Sequence, residues 1–262
     1  MSVSRRCFLR GLVATGVAGA GAATLRPLEA FAASEPGSRY AVLAEVSRCV
    51  GCRTCEDACR RWNGHTCEDE APEDLSPESW TVVTSTEGAG EGEEDDLHTK
   101  WQCMNCVSPC CSSACPAGAL FKTELGPVLY DVKRCIGCRY CVIACPFSAP
   151  RFDWHDRQIT KCIMCPDRLE IGRETACVEA CPERVFTFGE REEILGLAKQ
   201  AQEKGAHVYG VDEAGGTSWI YVSAQPLEDR RFPVVEQATS PAPSNSITTS
   251  NHATTLVRAR AL

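Results

Sequence analysis

Residues 135–146 read CIGCRYCVIACP, four cysteines and a proline in twelve residues. Cys135, Cys138 and Cys141 are each separated by two residues, so a tight backbone wrap can aim three sulfurs at one centre while Cys145 falls outside it. The same spacing recurs at Cys49, Cys52, Cys55 and Cys59 in CVGCRTCEDAC. The run CIMCPDRLEIGRETACVEACP supplies Cys162 and Cys165, then Cys177 and Cys181 after an eleven-residue insertion. The remaining group, CMNCVSPCCSSACP, holds Cys103 and Cys106 and then one cysteine too many. The internal repeat resolves it: every other group ends in C-x3-C, which Cys111 with Cys115 satisfies and Cys110 does not. Sixteen cysteines thus form four groups of four, three of them followed by Pro116, Pro146 or Pro182.

Three chemistries compete for these thiols. A disulfide framework has no reason to repeat C-x2-C at four places, each time with a C-x3-C ending. Zinc needs four ligands in two pairs, which leaves the third closely spaced cysteine of the Cys49 and Cys135 groups without a use. The C-x2-C-x2-C-x3-C-P run resembles that of bacterial ferredoxins, where three thiolates hold one iron–sulfur cube and the fourth reaches a second. Sixteen thiolates suit four [4Fe-4S] clusters.

With 19 cysteines in 262 residues, the chain has too few bulky apolar residues for an ordinary enzyme of its size, yet more than a disordered chain. Inorganic cores can replace part of an apolar one, because ligation fixes loops that would otherwise cost conformational entropy. The N-terminus, SRRCFLRGLVATGVAGAGAATLRPLEAFAA, carries a twin arginine (Arg5, Arg6), a Gly/Ala-rich apolar stretch and Ala30-Phe31-Ala32 as a cleavage site. It reads as a twin-arginine export signal over residues 1–32, and Cys7 leaves with it. A membrane anchor needs a longer apolar run of roughly 20 residues.

Glu68 to Asp96 carries twelve acidic residues and no Lys or Arg, so everything outside it sums to +4 against a net charge of -8 for the chain. The acidic insertion, residues 68–98, therefore reads as a solvated loop centred on EGAGEGEEDD, with a basic docking partner as the sharper alternative. Strands are expected at 40–46, 80–85, 128–132, 185–189 and 215–223. A helix is expected over 190–205, with acids in its first turn, Ile194, Leu195, Leu197, Ala198 and Ala201 on one side, and Gly205 as terminator. This helix is expected to pack on the cluster-bearing core. From Gln237 to Leu262 the chain is Ser/Thr/Pro/Asn-rich and reads as a disordered tail. No apolar run of roughly 18 residues follows the signal, so no membrane span is expected in the mature chain.

A cluster held by four thiolates keeps no position for substrate, so the expected role is electron transfer rather than catalysis, and no catalytic residue is assigned. There is no phosphate-binding glycine loop, nucleophile elbow or H-E-x-x-H, and no basic patch for nucleic acid. His65, His98, His155, His207 and His252 are scattered and read as non-ligands. Cys67 and Cys110 are surplus.

Over residues 40 to about 234 the chain resembles the four-cluster ferredoxin subunit of respiratory molybdenum or tungsten oxidoreductases and nickel–iron hydrogenases. QCMNC, CRYCVIACPF and KCIMCPDRLEIGRETACVEACP carry this resemblance. LSPESWTVV and HVYGVDEAGGTSWIYVS are more similar to formate dehydrogenase beta subunits and their hydrogenase-linked relative. The resemblance implies an α+β fold of two interlocked bacterial-ferredoxin-like halves with loop insertions, spanning residues 40–236. It also implies that groups 49–59 and 162–181 pair, as do 103–115 and 135–145. The ligand sets are then Cys49, Cys52, Cys55 and Cys181; Cys162, Cys165, Cys177 and Cys59; Cys103, Cys106, Cys111 and Cys145; and Cys135, Cys138, Cys141 and Cys115. Implied partners are a molybdopterin-type catalytic subunit or a hydrogenase, and an integral membrane quinone-reactive or cytochrome subunit. Formate dehydrogenase beta subunits typically end in a membrane helix and often lack their own signal. This chain ends in a polar tail and carries a twin arginine, so it is expected in the periplasm or at the outer face of the cytoplasmic membrane, held by a separate partner.

Overall fold

The structure is a computed structural model and describes residues 38–65, 71–86, 97–227 and 231–235. The expected signal (1–32), the centre of the acidic insertion (87–96), the tail (237–262), Cys7 and Cys67 lie outside these residues.

In chain order the described elements are β1 (Tyr40–Glu45), α1 (Thr54–Asn63), β2 (Thr81–Thr86), β3 (Leu97–Gln102), α2 (Cys110–Ser113), β4 (Leu120–Lys122) and β5 (Val128–Tyr130). There follow α3 (Tyr140–Ala144), β6 (Arg151–Asp153), β7 (Gln158–Thr160), α4 (Pro166–Leu169), α5 (Ala176–Glu179), β8 (Phe186–Glu190), α6 (Arg191–Glu203), β9 (His207–Tyr209) and β10 (Trp219–Ser223). The fold is α+β. One four-stranded sheet has the order β8-β1-β10-β9, with β1 and β10 parallel and both outer pairings antiparallel. The other three sheets are hairpins, β2-β3, β4-β5 and β6-β7.

Strand β1 is apolar on both faces because both are covered. Val42 and Ala44 face the cysteine-bearing core with Trp219 and Tyr221 of β10, whereas Ala41 and Leu43 face α6 with Ile220. The expected helix therefore packs on the far face of the sheet, and the sheet separates it from the cysteines. Ile194 and Ala198 bury there, while Leu197 stays 42% exposed. The helix ends where Gly205 takes φ +92, a conformation that costs a residue with a side chain more than it costs glycine.

Four expected strands form near their expected positions, and the fifth, at 80–85, forms as one arm of the two-stranded β2-β3 hairpin. The expected strand at 128–132 stops at Tyr130, where a 3-10 turn at Val132–Arg134 feeds Cys135. That expected at 215–223 starts only at Trp219, because Glu213–Gly215 form a 3-10 turn. The three-residue strands β4, β6, β7 and β9 are too short to show an alternating pattern.

The sheet is tied to the cysteine-bearing loops by specific bonds. Ser218 N donates to Met104 O at 3.0 Å and Val107 N to Gly216 O at 2.9 Å. Tyr221 Oη donates to Lys100 O at 2.9 Å and accepts from Gln102 Nε2 at 2.7 Å. Gly210 of the HVYG stretch makes this closure possible: its φ is +101, and a Cβ there would stand 2.4 Å from the Trp219 carbonyl oxygen.

Candidate metal centres

The cysteine groups are built on two repeated backbone devices. In the Cys49 and Cys135 groups a 3-10 turn ending in arginine leads into the first cysteine. Gly51 and Gly137 follow at φ +71 and +69, then Arg53 and Arg139 at φ +58 and +64, each capping a helix that carries the third cysteine. These left-handed residues reverse the chain within a few positions, which turns the sulfurs inward.

The other two groups share a second device. Asn105 and Met164 take φ +47 and +58 between the first two cysteines. A short helix then carries the rest: α2 and α5 end on Ala114 and Ala180 with φ, ψ of -78°, -6° and -81°, -8°. Cys115 N donates to Ser112 O, and Cys181 N to Val178 O, at 3.1 and 3.2 Å. Superposed by these bonds, Cys111 matches Cys177 and Cys110 matches Ala176.

Three cavities are each lined by four cysteines drawn from two groups. One holds Cys49, Cys52, Cys55 and Cys181; a second Cys59, Cys162, Cys165 and Cys177; a third Cys115, Cys135, Cys138 and Cys141. They enclose about 300, 340 and 330 Å³, part of it open to solvent. Cys103, Cys106, Cys111 and Cys145 are neighbours and are taken together as a fourth set, with Cys110 beside them: burial raises the thiols of Cys106, Cys111 and Cys145, and Cys103 and Cys110 raise each further. The four sets are referred to as the Cys49, Cys162, Cys135 and Cys103 sets. All seventeen described cysteines are free. Cys110 neighbours the Cys103 set, but its thiol donates to Ala144 O at 3.0 Å.

These sets fit an iron–sulfur cube by the chemistry of their donors. Among the described residues no three His, Cys, Asp or Glu side chains converge closely enough for a single ion; the sulfurs instead surround space. Burial pushes the thiols of Cys141 and Cys162 up to about 11 and that of Cys145 to about 12. A bound cationic centre is what would make them thiolates, with release of their protons. Hydrogen-bond donors already point at sulfur: Ala119 N lies 3.2 Å from Cys115 Sγ, Thr54 Oγ1 3.4 Å from Cys52 Sγ and Asn63 Nδ2 3.5 Å from Cys59 Sγ. Such bonds stabilise charge on the sulfurs.

Residues 95–191 match the 4Fe-4S dicluster domain family. The iron–sulfur subunit of the nitrate-inducible formate dehydrogenase of Escherichia coli K12 is 40% identical over 200 residues, covering 71% of this chain and 68% of that subunit. The chain belongs to this family of iron–sulfur subunits. Hydrogenase-2 operon protein HybA of Escherichia coli O157:H7 is 31% identical over 256 residues, covering 81% of this chain and 78% of that protein. A Nitratidesulfovibrio vulgaris protein is 39% identical over 249 residues, and the match spans 86% of this chain but only 65% of that protein's length.

Sequence reasoning missed three lysines of this iron–sulfur subunit. Lys100, Lys122 and Lys161 are each less than 5% exposed. Lys122 donates to the carbonyls of Asn105 and Gly126, and Lys161 to those of Val128 and Cys162. The available signal was their placement: Lys100 lies three residues before Cys103, and Lys161 directly precedes Cys162. No described helix is long and apolar enough to cross a membrane.

Proposed function

We propose that the protein is an exported electron-transfer subunit holding four [4Fe-4S] clusters, one on each of the four cysteine sets. The observation that carries this reading is the crossed lining of the cavities, in which the last cysteine of one group closes the site of its partner group. Crossed closure also supports two interlocked ferredoxin-like halves, since within each pair of groups a site takes its last cysteine from the other group, and the 103–145 pair lies in the chain between the two members of the 49–181 pair. When bound, each cluster would supply one-electron redox chemistry.

The residues around the sets support a linear path. Cys55 lies in the electrostatic neighbourhood of Cys177, and Cys162 in that of Cys103. Cys111 and Cys141 share one apolar cluster with Cys115. This gives the order Cys49 set, Cys162 set, Cys103 set, Cys135 set. The two ends are near the surface: Cys52 is exposed, and Val50 and Ile136, at equivalent places in the repeat, are 59% and 70% exposed. The middle sets are buried except for the half-buried Cys145, which limits the access of water to their sulfurs and favours transfer along the path. A molybdopterin-type catalytic subunit, formate dehydrogenase-like, at one end and a membrane quinone-reactive or cytochrome subunit at the other fit such a path. A hydrogenase is the alternative electron source.

Mature protein purified without oxygen is expected to contain iron and acid-labile sulfide near four cubes per chain. Zinc in place of sulfide would overturn the reading. For export, Arg5→Lys with Arg6→Lys is expected to leave cluster-loaded precursor in the cytoplasm, because the pair is an address read by a receptor. Fractionation that still finds mature protein outside the cytoplasmic membrane would reject the signal.

A further inference from the structure

The β2-β3 hairpin carries a lysine into the wall between two cysteine sets. Lys100 is 3% exposed and lines the Cys162 cavity, while its strand partner Val83 lines the Cys49 cavity. Its Nζ stands 4.1 Å from the ring centroid of Trp219, on the wall of the first, and 5.9 Å from that of Phe186, on the wall of the second. The ammonium donates to Gln102 Oε1 at 2.5 Å, and among the described residues no carboxylate forms an ion pair with it.

A buried ammonium held by one amide and two aromatic rings is strongly unfavourable unless a negative charge lies nearby. The groups its charge acts on are the cysteines themselves: Cys49 and Cys55 of one set, and Cys59, Cys162 and Cys177 of the other. Once thiolates surround iron, both sets are anionic, and each gains a further negative charge when it accepts an electron. A fixed cation between them stabilises that reduced state in both.

We propose that Lys100 is a shared counter-charge that raises the reduction potentials of the clusters on the Cys49 and Cys162 sets, and of those two alone. The inference rests on the four-cluster reading above. At an effective dielectric constant near 20, a unit charge within about 8 Å shifts a one-electron equilibrium by at least about tenfold. A tenfold change corresponds to about 59 mV for a one-electron couple. The shared site also makes the first pair of stations the one whose energies move together.

The test is a potentiometric titration of the cluster-loaded protein followed by electron paramagnetic resonance, on wild type, Lys100→Met and Lys100→Arg. Two of the four midpoint potentials are expected to fall by at least about one tenfold step in the Met variant and to stay near wild type in the Arg variant. Unmoved potentials in the Met variant, or an equal shift of all four, would overturn the proposal. Should Lys100→Met fail to keep its iron, loss confined to two clusters and their retention in Lys100→Arg support the counter-charge. Loss in both variants would assign Lys100 a packing role and overturn it. Wild-type protein without sulfide would defeat the four-cluster reading itself, a result separate from four clusters with unmoved potentials.

Discussion

Serine at position 111 is expected to remove one whole cluster, a quarter of the protein's iron and sulfide, whereas serine at position 110 is expected to leave the content unchanged. The two residues are neighbours on α2, and a helix turns about 100° between them, so only one can face a given centre. Cys111 is 7% exposed and matches Cys177 in the equivalent helix, while Cys110 matches Ala176, a position where the repeat manages without sulfur. The Cys110 thiol already donates to the Ala144 carbonyl, a bond that a metal-bound thiolate could not make. Iron and sulfide counts on the two purified variants decide the matter. Loss in the Cys110→Ser protein with a full count in Cys111→Ser would show that the alignment of this group is wrong by one residue.

Formate is expected to bleach the visible absorption of the clusters in the native complex, and to leave the isolated chain oxidised. A coordinatively complete cluster has no position at which formate or hydrogen could react, so reduction requires a catalytic partner. Formate as donor is the proposed reading, which the similarity supports: the chain is 40% identical to a formate dehydrogenase iron–sulfur subunit and 31% identical to HybA. The stretches behind the preference are structural. Leu75 and Ser79 of LSPESWTVV are buried, and in HVYGVDEAGGTSWIYVS Gly210 closes against a fully buried Trp219. Such residues shape the subunit. Anaerobic spectra of the complex with each donor are the measurement. Clusters that stay oxidised with formate but are reduced by hydrogen would remove the formate assignment and leave the electron-transfer role.

The sequence by itself determined how the cysteines fall into groups, because aiming neighbouring sulfurs at one centre is a local demand. A short wrap can aim neighbouring sulfurs at one centre, so the C-x2-C spacing and the C-x3-C endings are written in consecutive residues. The strand at 40–46 and the helix before Gly205 were legible for the same reason, since their patterns repeat within one element. Closure of each site is not local. Cys49 and Cys181, or Cys103 and Cys145, are brought to one set by the way the chain crosses itself. Family resemblance implied that pairing, but no spacing did.

Only the tertiary structure decided what surrounds the sulfurs. The place of Lys100 three residues before Cys103 sets it near a cysteine group, but nothing in LHTKWQ puts it between two cavities. Its burial follows from β3 lying against β10, where the Tyr221 hydroxyl bonds the Lys100 carbonyl and the Gln102 amide. The face on which α6 packs was decided in the same way. A strand that is apolar throughout, such as β1, offers two equivalent faces, and the sheet order assigned Ala41 and Leu43 to the helix and Val42 and Ala44 to the cysteines. Ligand spacing is fixed by bond lengths along the chain, whereas the electrostatic setting of each site is fixed by which distant segments exclude water from it.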